Sequence, residues 1–152
     1  MQRGNPPAAY LRGDIVNTPD IKQRIETAFE RRASITPADA EPELRTAVET
    51  AIVLLDRGEV RVAELHGGKW LVNEWLKKAV LLYFRLQPNQ FIDAGPLRYV
   101  DKVPLKYTDH SQQDFEHDGA RIVPSAVVRK GAYIAADTVL MPCYVNIRAY
   151  VG

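Results

Sequence analysis

Three histidines, one cysteine and scattered lysines are the residues with which this chain could do chemistry, and their spacing points away from most of it. His66, His110 and His117 lack the short intervals that gather ligands on a metal or set a base beside a nucleophile. No metal site and no catalytic histidine is expected among them. Cys143 has no histidine near it and reads as a small filler residue rather than a nucleophile. Gly67-Gly68 reads as a two-residue turn, not a phosphate-cradling loop. Lys102 and Lys106 flank Pro104 and could attract an anion, although a solvated strand face accounts for both. Lys77 and Lys78 fall on the outer surface of a predicted helix. Trp70 and Trp75 read as core or interface anchors.

Bulk composition narrows the field. The 20 Lys and Arg balance 19 Asp and Glu, which argues against a nucleic-acid or membrane partner recognised by bulk charge. A small anion needs only two or three local cations and stays open. A lone cysteine excludes an internal disulfide and fits a reducing compartment, so the cytoplasm is expected. No apolar run approaches the roughly 20 residues of a membrane span. Met1 to Pro19 lacks an apolar signal-peptide core and reads as a flexible leader. The 152 residues allow one domain, or one domain and a fragment.

These residues must be positioned by a helical and extended N-terminal unit, 20–119. Asp20 is placed to cap a helix, with Gln23 in capping-box position and Ile21, Ile25, Ala28 and Phe29 on one face. Thr36-Pro37 and Glu41-Pro42 each offer a proline at a helix start. Leu44, Val48, Ile52 and Leu55 form the next apolar stripe, closed by Gly58. The two helices are expected to pack as a hairpin. Alternation about Val60 and Val62 predicts a strand that turns at His66-Gly67-Gly68-Lys69 and returns through Trp70 and Val72. Asn73 is placed to cap a third helix reaching Leu86, apolar on more than one face and so buried. Short extended pieces follow from Phe91 to Tyr107, turning at Gly95-Pro96 and Val103-Pro104. His110 to Gly119 reads as a surface linker or short helix.

From residue 120 the periodicity changes. Ile122, Val128, Ile134 and Leu140 recur every six residues, and Ala126, Ala132 and Thr138 follow four positions after the first three. Neither a helical nor a two-residue period gives this spacing. It is the pattern of a parallel β-helix of triangular section, one hexapeptide per side, aliphatic residues inward. The next slot falls on Asn146, and Arg148 occupies a corner where glycine is preferred. The span 120–152 supplies fewer than two coils, so the β-helix reads as incomplete and in need of a surface to pack on.

Several motifs occur in order along the chain. They are Ile25-Glu26-Thr27-Ala28-Phe29-Glu30-Arg31-Arg32, then Trp75-Leu76-Lys77-Lys78-Ala79-Val80-Leu81-Leu82 and Asp101-Lys102-Val103-Pro104. Arg121-Ile122-Val123-Pro124, Thr138-Val139-Leu140-Met141-Pro142 and Tyr144-Val145-Asn146-Ile147 complete the set. From about Ile21 to Val151 the chain resembles the tetrahydrodipicolinate N-succinyltransferases, acyltransferases of lysine and diaminopimelate biosynthesis. The resemblance implies an α+β N-terminal domain followed by the first coils of a left-handed parallel β-helix, in a homotrimer. It implies succinyl-CoA as co-substrate and a small dicarboxylate as acceptor, with active sites between neighbouring β-helices.

Transfer of an acyl group from a thioester to an amine requires a base for the amine, donors for the developing oxyanion and cations for the dicarboxylate. Arg121 aligns with the family's substrate-binding arginine and is the one site residue expected here. The base and the CoA groove fall in the half of the family pattern beyond this sequence, so no catalytic and no cofactor-binding residue is expected. The family has glycine where this chain has Arg148 and an acidic residue where it has Gly152. That departure raises a rival expectation: a truncated, inactive product, or an assembly module that associates through its open coils.

Overall fold

The computed structural model describes residues 18–152. Most of the expected leader therefore lies outside the described residues, while Thr18 and Pro19 already belong to the first helix. Helices α1 (Thr18–Glu30), α2 (Pro42–Asp56) and α3 (Glu74–Leu86) pack pairwise around one apolar core. Asp20 does not cap α1. It lies in the first turn and pairs with Arg24 one turn on, at 2.9 Å. Thr36-Pro37 opens a turn and no helix, whereas Pro42 stands in the first turn of α2.

The end of α2 shows why Gly58 is needed. Its φ is +70°, its N–H reaches the Leu55 carbonyl, and the Glu59 N–H reaches Leu54, both at 3.0 Å. This paired closure satisfies the carbonyls that the last turn leaves over. A side chain here would also strike Tyr133, whose ring lies 2.6 Å from where a Cβ would be.

Strand β1 (Ala63–His66) pairs antiparallel with β2 (Lys69–Val72) across Gly67-Gly68. Both glycines have positive φ, as a two-residue hairpin turn of this twist demands. The strand begins three residues later than the Val60 alternation implies, because Val60 and Val62 pack on the helical core instead. Trp75 is buried in that core at 6% exposure, but Trp70 is 72% exposed on the hairpin, so it is no core residue. Asn73 precedes α3 without capping it. Its amide donates to the Arg61 carbonyl (2.8 Å) and to Glu64 Oε1 (2.7 Å), tying the hairpin to the helix start. The expected burial of α3 holds except at Phe84, which is half-buried, and Leu81, which is 57% exposed.

A second antiparallel hairpin joins β3 (Gln90–Ala94) to β4 (Leu97–Asp101) over Gly95-Pro96. The polar stretch 110–119 contains a short helix, α4 (Gln112–Asp118). Ser111 and Asp114 form a reciprocal capping box, and Gly119 closes the helix at φ +68°.

Six two-residue strands follow: β5 (Arg121–Ile122), β6 (Val127–Val128), β7 (Tyr133–Ile134), β8 (Val139–Leu140), β9 (Tyr144–Val145) and β10 (Tyr150–Val151). They pair in parallel as β5 with β8, β6 with β9 and β7 with β10, so the chain returns beside itself after every third strand. Val128, Ile134 and Leu140 are buried, with Ala132 and Val145, and Ile122 packs against them. Ser125, Gly131 and Asp137, six residues apart, all have positive φ, which turns the chain at each corner.

The six-residue frame slips once. Leu140 is followed five positions later by buried Val145, not six positions later by Asn146, which is exposed. Three residues, Met141-Pro142-Cys143, span the corner that four span in the first turn. Proline fixes a negative φ and cannot repeat the left-handed step of Ser125. The aliphatic pattern therefore continues through Val145 and Val151 where the fixed frame read it as failing. Cys143 sits exposed at that corner and fills no interior space.

Candidate functional site

Arg121 is the first residue of β5, two residues beyond the glycine that ends α4. Its N–H donates to the Thr138 carbonyl at 2.9 Å, and its Cα pairs with Val139. The side chain is exposed and enters no ion pair among the described residues. The segment that leads into it is short but heavily fastened. Tyr107, His110 and Phe115 pack together, edge-on or tilted, with ring centroids 5.0–5.3 Å apart. His110 Nε2 lies 3.1 Å from Asp118 Oδ2, and the Asp137 N–H donates to the Gly119 carbonyl. Burial pushes the Tyr107 phenol up to about 12, with the carboxylates of Asp118 and Asp56 adding to the rise. The hydroxyl and amide of Ser111 hold the Asp114 carboxyl below its ordinary range. Buried Tyr83, in the helical core, is likewise raised by desolvation.

The other sequence candidates go to structural work. Lys102 is not on a solvated face: its Nζ donates to the carbonyls of Phe84 (3.1 Å) and Gln87 (3.0 Å), closing the end of α3. Lys106 pairs with Asp56 at 2.7 Å and its side chain is only 10% exposed. Lys78 reaches toward Glu30 (3.9 Å) and the Phe29 ring. Lys77 is exposed beside the last coil. His66 stands on the first hairpin and His117 on α4, remote in the chain from one another. Among the described residues no group of three or more His, Cys, Asp and Glu could hold a metal ion.

Sequence reasoning missed the polar seam between helices and coils. Asp56 receives the Gly131 N–H (2.7 Å) on one oxygen and Lys106 on the other. Arg129 bonds Asp101 at 2.6 Å and Asn146 Oδ1 at 3.1 Å, with its guanidinium near the Phe84 and Tyr144 rings. Lys130 pairs with Glu49. The only advance signal was the position of Asp101 at the head of a quoted motif, and no spacing rule links it to Arg129.

A family model described as "Tetrahydrodipicolinate N-succinyltransferase N-terminal" matches residues 20–86, which contain the three packed helices and the first hairpin. Residues 20–86 thus resemble the N-terminal domain of the tetrahydrodipicolinate N-succinyltransferase family. A Haemophilus ducreyi protein called 2,3,4,5-tetrahydropyridine-2,6-dicarboxylate N-succinyltransferase is 59% identical over 123 residues, 81% of this chain and 45% of its own. Proteins of the same name from Salmonella heidelberg and Sodalis glossinidius are 58% and 54% identical, over 85% and 86% of this chain and 47% and 48% of theirs. The chain thus spans about half the length of the curated N-succinyltransferases it matches. The matches cover more of the chain than the N-terminal domain alone.

Proposed function

We propose that this chain is the N-terminal part of an acyltransferase that moves a succinyl group from succinyl-CoA to the amine of tetrahydrodipicolinate. The observation that carries the reading is the 54–59% identity to N-succinyltransferases over 81–86% of the chain. In the reaction water adds across the ring C=N bond, the amine nitrogen of the hydrated or opened acceptor attacks the thioester carbonyl, a C–N bond forms, and the C–S bond breaks. The amine proton goes to a base, and the CoA thiolate leaves and is protonated.

This chain's part is to hold a substrate carboxylate at Arg121, whose exposed guanidinium offers two parallel donors. The parallel strand pairs from 121 onward support reading 120–152 as the opening coils of a left-handed hexapeptide β-helix, after an N-terminal unit of 20–119. A homotrimer, with the acceptor and succinyl-CoA bound between subunits, completes the proposal. A cytoplasmic location accords with it; no helix among the described residues is long and apolar enough to cross a membrane.

The test is a chimera in which the second half of the Haemophilus ducreyi relative follows this chain. The chimera releases CoA thiol from succinyl-CoA in the presence of the acceptor, and the chain alone does not. Arg121→Ala in the chimera weakens acceptor binding by about 1.5–3 kcal/mol, the worth of a charge-assisted hydrogen bond. A folded chimera without turnover sinks the acyl-transfer reading, and an acceptor KM unchanged within about twofold removes Arg121 from the site.

A further inference from the structure

Between α3 and the corner after β9 lies a cleft of about 380 Å3 that the packing of helices and coils leaves open. One wall is Lys77, Val80, Leu81 and Phe84. Their spacing places them along a single face of the helix, so the groove runs for about 10 Å. The other wall is the corner Asn146-Ile147-Arg148. The size falls within the range of small-molecule pockets.

Three features mark it as more than a packing seam. Leu81 is 57% exposed on a helix that buries most of its other apolar side chains, so the groove has an apolar floor facing water. Its two charged lining residues are both cations, Lys77 and Arg148, neither in an ion pair among the described residues, and no carboxylate lines it. Asn146 keeps its Oδ1 for Arg129, Tyr144 and the Ile147 N–H, leaving the amide Nδ2 without an acceptor among the described residues. Arg148 is also held at φ +72°, an unfavourable backbone state for a residue with a Cβ, and its N–H is fixed on the Gly131 carbonyl at 2.8 Å.

We propose that this cleft binds an amphiphilic carboxylate of medium chain length. The aliphatic tail lies along Val80, Leu81 and Phe84, and the carboxylate meets Lys77, Arg148 and the Asn146 amide. A chain of about eight carbons, the carboxyl included, matches the length of the groove. The site is separate from Arg121 and does not depend on the acyl-transfer reading.

Methyl NMR of the full chain, titrated with octanoate, tests it. Octanoate shifts the methyl signals of Val80, Leu81 and Ile147 in a saturable way. Octanol, which lacks the charge, and butyrate, which lacks the tail, bind about tenfold more weakly. The pair Lys77→Gln with Arg148→Gln keeps both stems and the backbone state but removes both charges. It weakens octanoate about tenfold, two exposed charge contacts together, and leaves octanol unmoved. Leu81→Glu, a change at an exposed position, abolishes octanoate binding while the far-ultraviolet circular dichroism stays native. The proposal is overturned by octanol equal to octanoate, by charge variants that bind unchanged, or by shifts that gather on the exposed hairpin at Leu65 and Val72. It is equally overturned if no methyl moves at ligand concentrations of about 10 mM.

Discussion

Replacing Gly131 with alanine tests how the coils are attached to the helices. Gly131 has φ +88°, so any Cβ carries the left-handed penalty of about 1–2 kcal/mol. The added carbon also has no room. It would lie 2.8 Å from Ile147 Cγ1, 3.1 Å from Ile52 Cγ2 and 3.3 Å from Ile147 Cδ1. Both isoleucines are fully buried, at 0% and 2% exposure, and neither can swing into solvent. Overpacking of this kind costs about 1–3 kcal/mol, giving about 2–5 kcal/mol in all. Gly95→Ala is the control, since Gly95 has φ +70° and nothing within 4 Å of its Cβ position. It carries the backbone penalty alone. Urea unfolding followed by Trp75 fluorescence measures both. A Gly131→Ala cost no greater than that of Gly95→Ala refutes the claim that helix and coil meet tightly at this residue.

Three further perturbations probe the same packing. Asp56→Ala removes the partner of Lys106 and of the Gly131 N–H, and costs about 2–4 kcal/mol in urea unfolding; Asp56→Ala combined with Lys106→Met recovers part of it, because the stranded cation is gone. Arg148→Gly relieves a left-handed strain of about 1–2 kcal/mol against a glycine entropy cost of about 0.5–1, so the thermal midpoint rises by a few degrees. Tyr107 is raised from 10.0 to about 12 by burial, so folding favours its neutral form. The stability it contributes is complete below pH 10 and is lost as pH climbs toward 12. Tyr107→Phe removes that alkaline component, which unfolding curves at stepped pH read directly.

The elements were legible where a local pattern dictates them. Pro42 and Gly58 bracket α2, Gly67-Gly68 and Gly95-Pro96 fix two hairpins, and the sixfold recurrence from Ile122 marks the return of the chain on itself. What failed was anything decided by a distant partner. Asn73 looks like a cap, but Arg61 and Glu64 draw its amide sideways. Lys102 and Lys106 look like solvated cations, but a helix end and Asp56 lie within reach once the chain folds. Trp70 reads as a core or interface anchor, and the hairpin carries it clear of the helical core, which removes the first alternative. Asn146 was misplaced for a different reason. A rigid six-residue frame cannot register a corner shortened by one residue, and only Pro142 hinted that the corner differs. Of the site, Arg121 came through resemblance, since a single exposed arginine has no local signature.

The coils and the helices share a core. Among the described residues the coil interior holds five buried residues, Val128, Ala132, Ile134, Leu140 and Val145, and one further coil residue is lent to the helical core. Ile147 points away from the coil interior and joins the cluster of Ile52, Leu76 and Val80. A glycine at 131 lets it approach, and the ion pairs at Asp56, Asp101 and Glu49 close the seam around it. The corner spacing that places Ile147 there is the same shortened step that moved Asn146 out of the aliphatic row. The shortened corner at Pro142 and the docking of Ile147 therefore go together: a perfect six-residue frame would shift Ile147 by one position relative to the helical core it joins.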